Sequence, residues 1–65
     1  MNRDLLKGKW KQLEGEVQKR WNKINRDDLS SVEGDYEKLL GLIQESYGKS
    51  RKEAKKEINK WSASV

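Results

Sequence analysis

The 65 residues include no cysteine, no proline and no histidine. Without cysteine there is neither a disulfide nor a thiolate metal site to support so short a chain. A chain of this length buries only about 60% of its unfolded surface, so the core is marginal and leans on large side chains. Without histidine, a general acid or base would have to be a carboxylate or a desolvated lysine, and a core this small can hardly bury one. No glycine-rich phosphate loop is present either, so an enzyme is not expected. Long apolar runs are missing as well. The most apolar stretch, Leu39 to Ile43, is far below the ~20 residues of a membrane span. Residues 1–30 hold no apolar segment of the signal-peptide kind, which makes a cytoplasmic location the expectation. The absence of proline leaves glycine to punctuate the chain.

What the chain does contain is an internal repeat. Shifted by 26 positions, the stretch from Trp10 to Trp21 falls on the stretch from Tyr36 to Tyr47. Leu13 lands on Leu39, Gly15 on Gly41, Val17 on Ile43, Gln18 on Gln44 and Lys23 on Lys49. Upstream, Gly8 lands on Gly34 and Leu6 on Val32. Two copies are too few for a solenoid, which needs about three. They suggest a pseudo-symmetric, all-helical domain covering residues 1–65.

Apolar spacing gives the elements. Trp10, Leu13, Val17, Trp21 and Ile24 follow a 3.6-residue period and predict a helix over 9–24. Asn25 or Asp27 can cap the next helix, with acids in its first turn. The period resumes through Leu29, Val32, Tyr36, Leu39, Ile43 and Tyr47, interrupted at Gly34-Asp35. That predicts a short helix over 27–33, a kink, and a helix over 35–47; one continuous helix over 27–47 is the alternative. Gly48 closes this element, and Ser50-x-x-Glu53 is a capping box that opens a helix over 50–61. Ala54, Ile58, Trp61 and then Val65 form its apolar stripe. Asn2 or Asp4 can cap a first turn carrying Leu5 and Leu6, but Gly8 follows at once, so residues 1–8 read as a loose lead-in and 62–65 as a frayed tail. Short connections favour antiparallel neighbours, hence two helical hairpins, 9–33 and 35–61, packed on each other. The expected core is Trp10, Leu13, Val17, Trp21, Leu29, Val32, Tyr36, Leu39, Ile43, Tyr47, Ile58 and Trp61, with Trp61 the ring best placed to stay exposed.

These residues resemble a known family. Gly8-Lys9-Trp10-Lys11-Gln12-Leu13-Glu14-Gly15, Trp21, Asp27-Asp28, Gly34, Leu39-x-Gly41-x-Ile43-Gln44-Glu45-x-Tyr47-Gly48 and the Lys/Glu-rich final helix are similar to CsbD-like proteins, over roughly residues 2–61. Asn22 stands where members often have Gly and Asn25 where they often have Thr; both affect turn chemistry. The resemblance implies a small bacterial helical protein associated with the general stress response, built from two orthogonally packed hairpins. It carries over no catalytic or ligand-binding residue.

Three features are candidates for function. Lys49, Arg51, Lys52, Lys55, Lys56 and Lys60 face only Glu53 and Glu57, so this run holds the whole net charge of +4. It is either a solvated face or a weak polyanion contact, with Lys52, Lys56 and Lys60 along one edge. Gly15 and Gly41 sit inside helices, where glycine costs ~1 kcal/mol relative to alanine, and both point away from the apolar stripes. They read as sites of close helix–helix contact or, failing that, of approach by a partner. Glu53 and Glu57, and Asp27-Asp28, lack the spacing of a metal site. No cofactor is expected, and a monomer is the expected state. The competing functions are a non-enzymatic stress protein, a nucleic-acid module using the last helix, and a peripheral membrane binder; the short Ala/Ile/Trp stripe puts the third last.

Overall fold

The computed structural model describes residues 3–64. Met1, Asn2 and Val65, and the expectations attached to them, lie outside that range. Five helices follow in order: α1 (Arg3–Gly8), α2 (Trp10–Arg20), α3 (Arg26–Val32), α4 (Tyr36–Tyr47) and α5 (Arg51–Ser64). No strand occurs among the described residues. The all-helical expectation is met, with one helix more than predicted.

The additional helix is α1. Its Leu6 side chain is completely buried, and the Lys9 N–H donates to the Leu5 carbonyl at 3.0 Å. Gly8 therefore does not loosen the lead-in expected over residues 1–8, because burial of one leucine outweighs weak local propensity. Asp4 lies in the first turn of this helix. There its charge suits the dipole. At the other end, α5 runs on to Ser64 rather than fraying at 62. Ser62 and Ser64 hydroxyls donate back to the carbonyls of Asn59 and Trp61.

Chain punctuation follows the sequence closely from residue 25 onward. Asn25 caps α3, its side chain accepting from the Asp28 N–H at 2.7 Å. Asp35 caps α4 by accepting from Glu37 and Lys38. The kinked reading of 27–47 is thus the observed one, with Glu33 (φ 51°) and Gly34 (φ 80°) both left-handed at the break. Gly48 (φ 62°) closes α4, and both it and Lys49 donate to the Gln44 carbonyl. The capping box is reciprocal. Glu53 N–H donates to Ser50 Oγ at 3.2 Å, and Ser50 N–H to Glu53 Oε1 at 3.1 Å.

The helix predicted over 9–24 stops at Arg20. Trp21 leaves helical geometry at ψ 70°, and Asn22 and Lys23 form a turn. Gln18 donates to the Ile24 carbonyl at 2.8 Å and secures that turn. The apolar period nevertheless continues through it, since Trp21 and Ile24 are as buried as Val17.

One core unites all five helices. Ten of the twelve predicted residues are buried in it, while Leu13 and Tyr47 pack at its edge, half covered. Leu6, Ile24, Leu40 and Ala54 complete it. Trp61 is not the exposed ring; only 6% of it is accessible, because it meets Trp21 edge-to-face with centroids 5.7 Å apart. α2 contacts α3 and α4 contacts α5, as in the two expected hairpins, but the packing is not symmetric. α4 contacts α5, α3 and α1, so it stands at the centre, and α1 crosses over to it from the first half of the chain.

Candidate functional site

The last helix presents sides of different chemistry. Ala54, Ile58 and Trp61 point into the core. Two flanks hold ion pairs. On the first flank, Arg51 grips Glu37 of α4 with two parallel hydrogen bonds of 2.9 Å. Arg3 of α1 reaches the same carboxylate at 2.9 Å and lies 4.8 Å over the Tyr36 ring. Hydrogen bonding to Arg51, together with the charges of Arg51, Arg3 and Lys55, holds the Glu37 carboxyl below its ordinary value. The same bond raises the Arg51 guanidinium above its own.

On the second flank, Glu57 turns inward and keeps only 17% of its side chain accessible. Lys49 and Arg20 both pair with it, Arg20 at 3.1 Å. The Lys49 ammonium is the main reason that the Glu57 pKa falls, against the opposing effect of burial; the Arg20 charge adds to it, and the Trp21 indole N–H faces the same carboxylate. That N–H makes no well-formed hydrogen bond. Glu53 is tied to Ser50, whose backbone and hydroxyl bonds lower its pKa. The two glutamates thus face different partners and form no chelating pair. Among the described residues no group of three or more metal-ligating side chains gathers.

The remaining side of the helix faces outward. Lys52, Lys56 and Lys60 are all exposed, and none has an ion pair among the described residues. The six cations of this region therefore do not act alike. Lys49 and Arg51 hold the helix to the body, Lys55 is half-buried beside Glu37, and three lysines project outward.

The glycine expectation is corrected. A Cβ placed on Gly15 or Gly41 would meet nothing within 4 Å, so among the described residues no other helix packs closely at either position. Close approach occurs at Gly34, where a Cβ would lie 2.6 Å from Lys7 Cα. Position inside a helix, the signal at Gly15 and Gly41, does not mark close approach. The glycine that matters sits between helices, at a positive φ. Its upstream equivalent in the repeat, Gly8, meets nothing. Beside Gly34 an open groove runs between α1 and the α3–α4 turn, lined by Arg3, Lys7 and Lys38 against Asp4, Glu33 and Asp35. Its charges are mixed, and no one ligand sign is favoured. No helix among the described residues is long and apolar enough to cross a membrane.

Known proteins are similar to this chain along most of its length. A UPF0337 protein of Bordetella pertussis is 44% identical over 61 residues, 94% of this chain and 92% of that one. A UPF0337 protein of Pseudomonas aeruginosa is 45% identical over 62 residues, 95% of each chain. The UPF0337 protein YjbJ of Escherichia coli K12 is 43% identical over 61 residues, 94% of this chain and 88% of that one. No solved structure matches. The profile of the CsbD-like family matches residues 4–56, from the start of α1 into α5, and with relatives so similar over nearly the full length the chain belongs to the CsbD-like family.

Proposed function

We propose that the protein is a non-enzymatic member of the bacterial general stress response, acting in the cytoplasm by protection or by binding a partner. The observation that carries this reading is the similarity to CsbD-like proteins along almost the entire chain. The state of the carboxylates supports it. Glu37, Glu53 and Glu57 are all displaced downward, towards the ionised form, and each by a structural partner: Arg51, Ser50 and Lys49 respectively. A general acid at neutral pH needs the opposite displacement. The aromatic rings are likewise committed to the core or its edge, which leaves them unsuited to holding a substrate.

The test is genetic. Deleting the gene should lower survival of the host bacterium under starvation, high salt or drying. Wild-type protein should restore it, and a Val17→Asp variant with a ruptured core should not. Equal survival of deletion and parent under all three conditions would remove the stress-response reading. Substrate turnover by the purified protein would remove the non-enzymatic one.

A further inference from the structure

We infer that the outer face of α5 binds the phosphodiester backbone of a nucleic-acid duplex through Lys52, Lys56 and Lys60, without reading base sequence. This goes beyond the stress-response reading and stands or falls independently of it.

The inference rests on how the structure sorts charge around one helix. By sequence, two glutamates dilute the cations of this region. In the fold Glu57 leaves the outer face, and Glu53, although exposed, is tied to the start of the helix. Glu57 turns inward between Lys49 and Arg20, and Glu53 is pulled back to the Ser50 N–H at the start of the helix. What remains outward is a row of exposed lysines at i, i+4 and i+8. At 1.5 Å rise per residue their stems emerge about 6 Å apart along the axis. Alternate phosphates of one strand advance about 7 Å along a duplex. The flexible lysine stem absorbs the difference.

The other faces of the helix decide the class of partner. An interfacial membrane helix needs a free apolar face to sink between headgroups. The apolar face here, Ala54, Ile58 and Trp61, is already in the core. Single strands are held chiefly by stacking on exposed aromatic rings, and all three tryptophans are buried. The most selective base contacts are bidentate, as from Arg, Asn or Gln, whereas a lysine ammonium is a point charge without a fixed fork. Arg51, the one guanidinium in the helix, is occupied by Glu37. What survives is contact with regularly spaced phosphates.

Three neutralised phosphates predict a slope of about −2.7 for log K against log salt, a fall of about 40-fold in affinity between 50 and 200 mM. The test is fluorescence anisotropy of a labelled 20-base-pair DNA duplex titrated with the full chain across that salt range. Two variants of equal net charge are compared, K52Q/K56Q/K60Q and K11Q/K19Q/K38Q, with circular dichroism to show that both keep the helical fold. The first should lose at least tenfold in affinity at 50 mM salt and flatten the salt slope. The second should stay within about threefold of wild type. Two duplexes of unrelated sequence should bind equally. Equal losses in the two variants would mean that net charge alone acts and would overturn the site. So would an absence of duplex binding at 20 mM salt, or tighter binding to vesicles containing phosphatidylserine than to DNA.

Discussion

Gly34 is the residue where one added methyl group should do most harm. Its φ of 80° is disfavoured for any side chain, and the α1 backbone occupies the space that a Cβ would need. Gly34→Ala should cost at least about 2 kcal/mol, combining strain with overpacking, and lower the urea midpoint accordingly. Gly15→Ala and Gly41→Ala should do the reverse. Each replaces a helical glycine facing open space, so each should stabilise by up to about 1 kcal/mol. A lowered midpoint in either would show a contact that the fold does not contain. Trp21→Ala removes a fully buried ring that holds Trp61, and its expected cost of about 3–5 kcal/mol is enough to unfold a domain of this size. Sequence alone made the tryptophans legible as core, because their spacing marked them. It left the glycine contact illegible, since which backbone approaches which glycine depends on tertiary packing.

At the scale of elements, α1 and α5 are held to the body by different means. Among the attachments of α1 are Leu6 in the core, Arg3 on Glu37 and the approach of Lys7 to Gly34. Leu6→Ala should therefore cost about 2–4 kcal/mol, measurable by thermal denaturation. A loss under 0.5 kcal/mol, roughly that of a surface change, would mean α1 is dispensable. The signal for this helix was present in the repeat, where Leu6 falls on the buried Val32; Gly8 concealed it by reading as a breaker. For α5, the half-buried Glu57 between Lys49 and Arg20 supplies a pH-sensitive attachment. Its folded pKa is depressed from the ordinary 4.5. Its contribution is thus fully present above pH 4.5 and is lost as pH falls through the lower folded value. Glu57→Gln should cost about 1 kcal/mol at pH 7, at the low end for a charge-assisted bond because the site is partly solvated. The variant should also lose stability less steeply than wild type on acidification below pH 4.5. Parallel acid titrations, followed by tryptophan fluorescence, would refute the attachment. The capping box and the apolar stripe that place α5 could be read directly. The sorting of its cations could not, because the partners Arg20 and Glu37 come from other helices.

For the whole molecule, a Cα radius of gyration of 10.5 Å equals the roughly 10.7 Å expected of a compact chain of this length. The first helix closes over the second copy of the repeat, with Leu6 in the shared core. That contact comes in addition to the expected pair of hairpins. The repeat is real in sequence, but its two copies are used differently. The first contributes a helix that docks onto Gly34 and Glu37, and the second contributes the surface that receives it. That arrangement has a consequence for local opening. α1 is held to α2 and to the second copy of the repeat, so lifting it from the body uncovers the buried Leu6 and the backbone at Gly34 together. The contact between α4 and α5 lies elsewhere, so amide exchange in α1 should run ahead of exchange in α4.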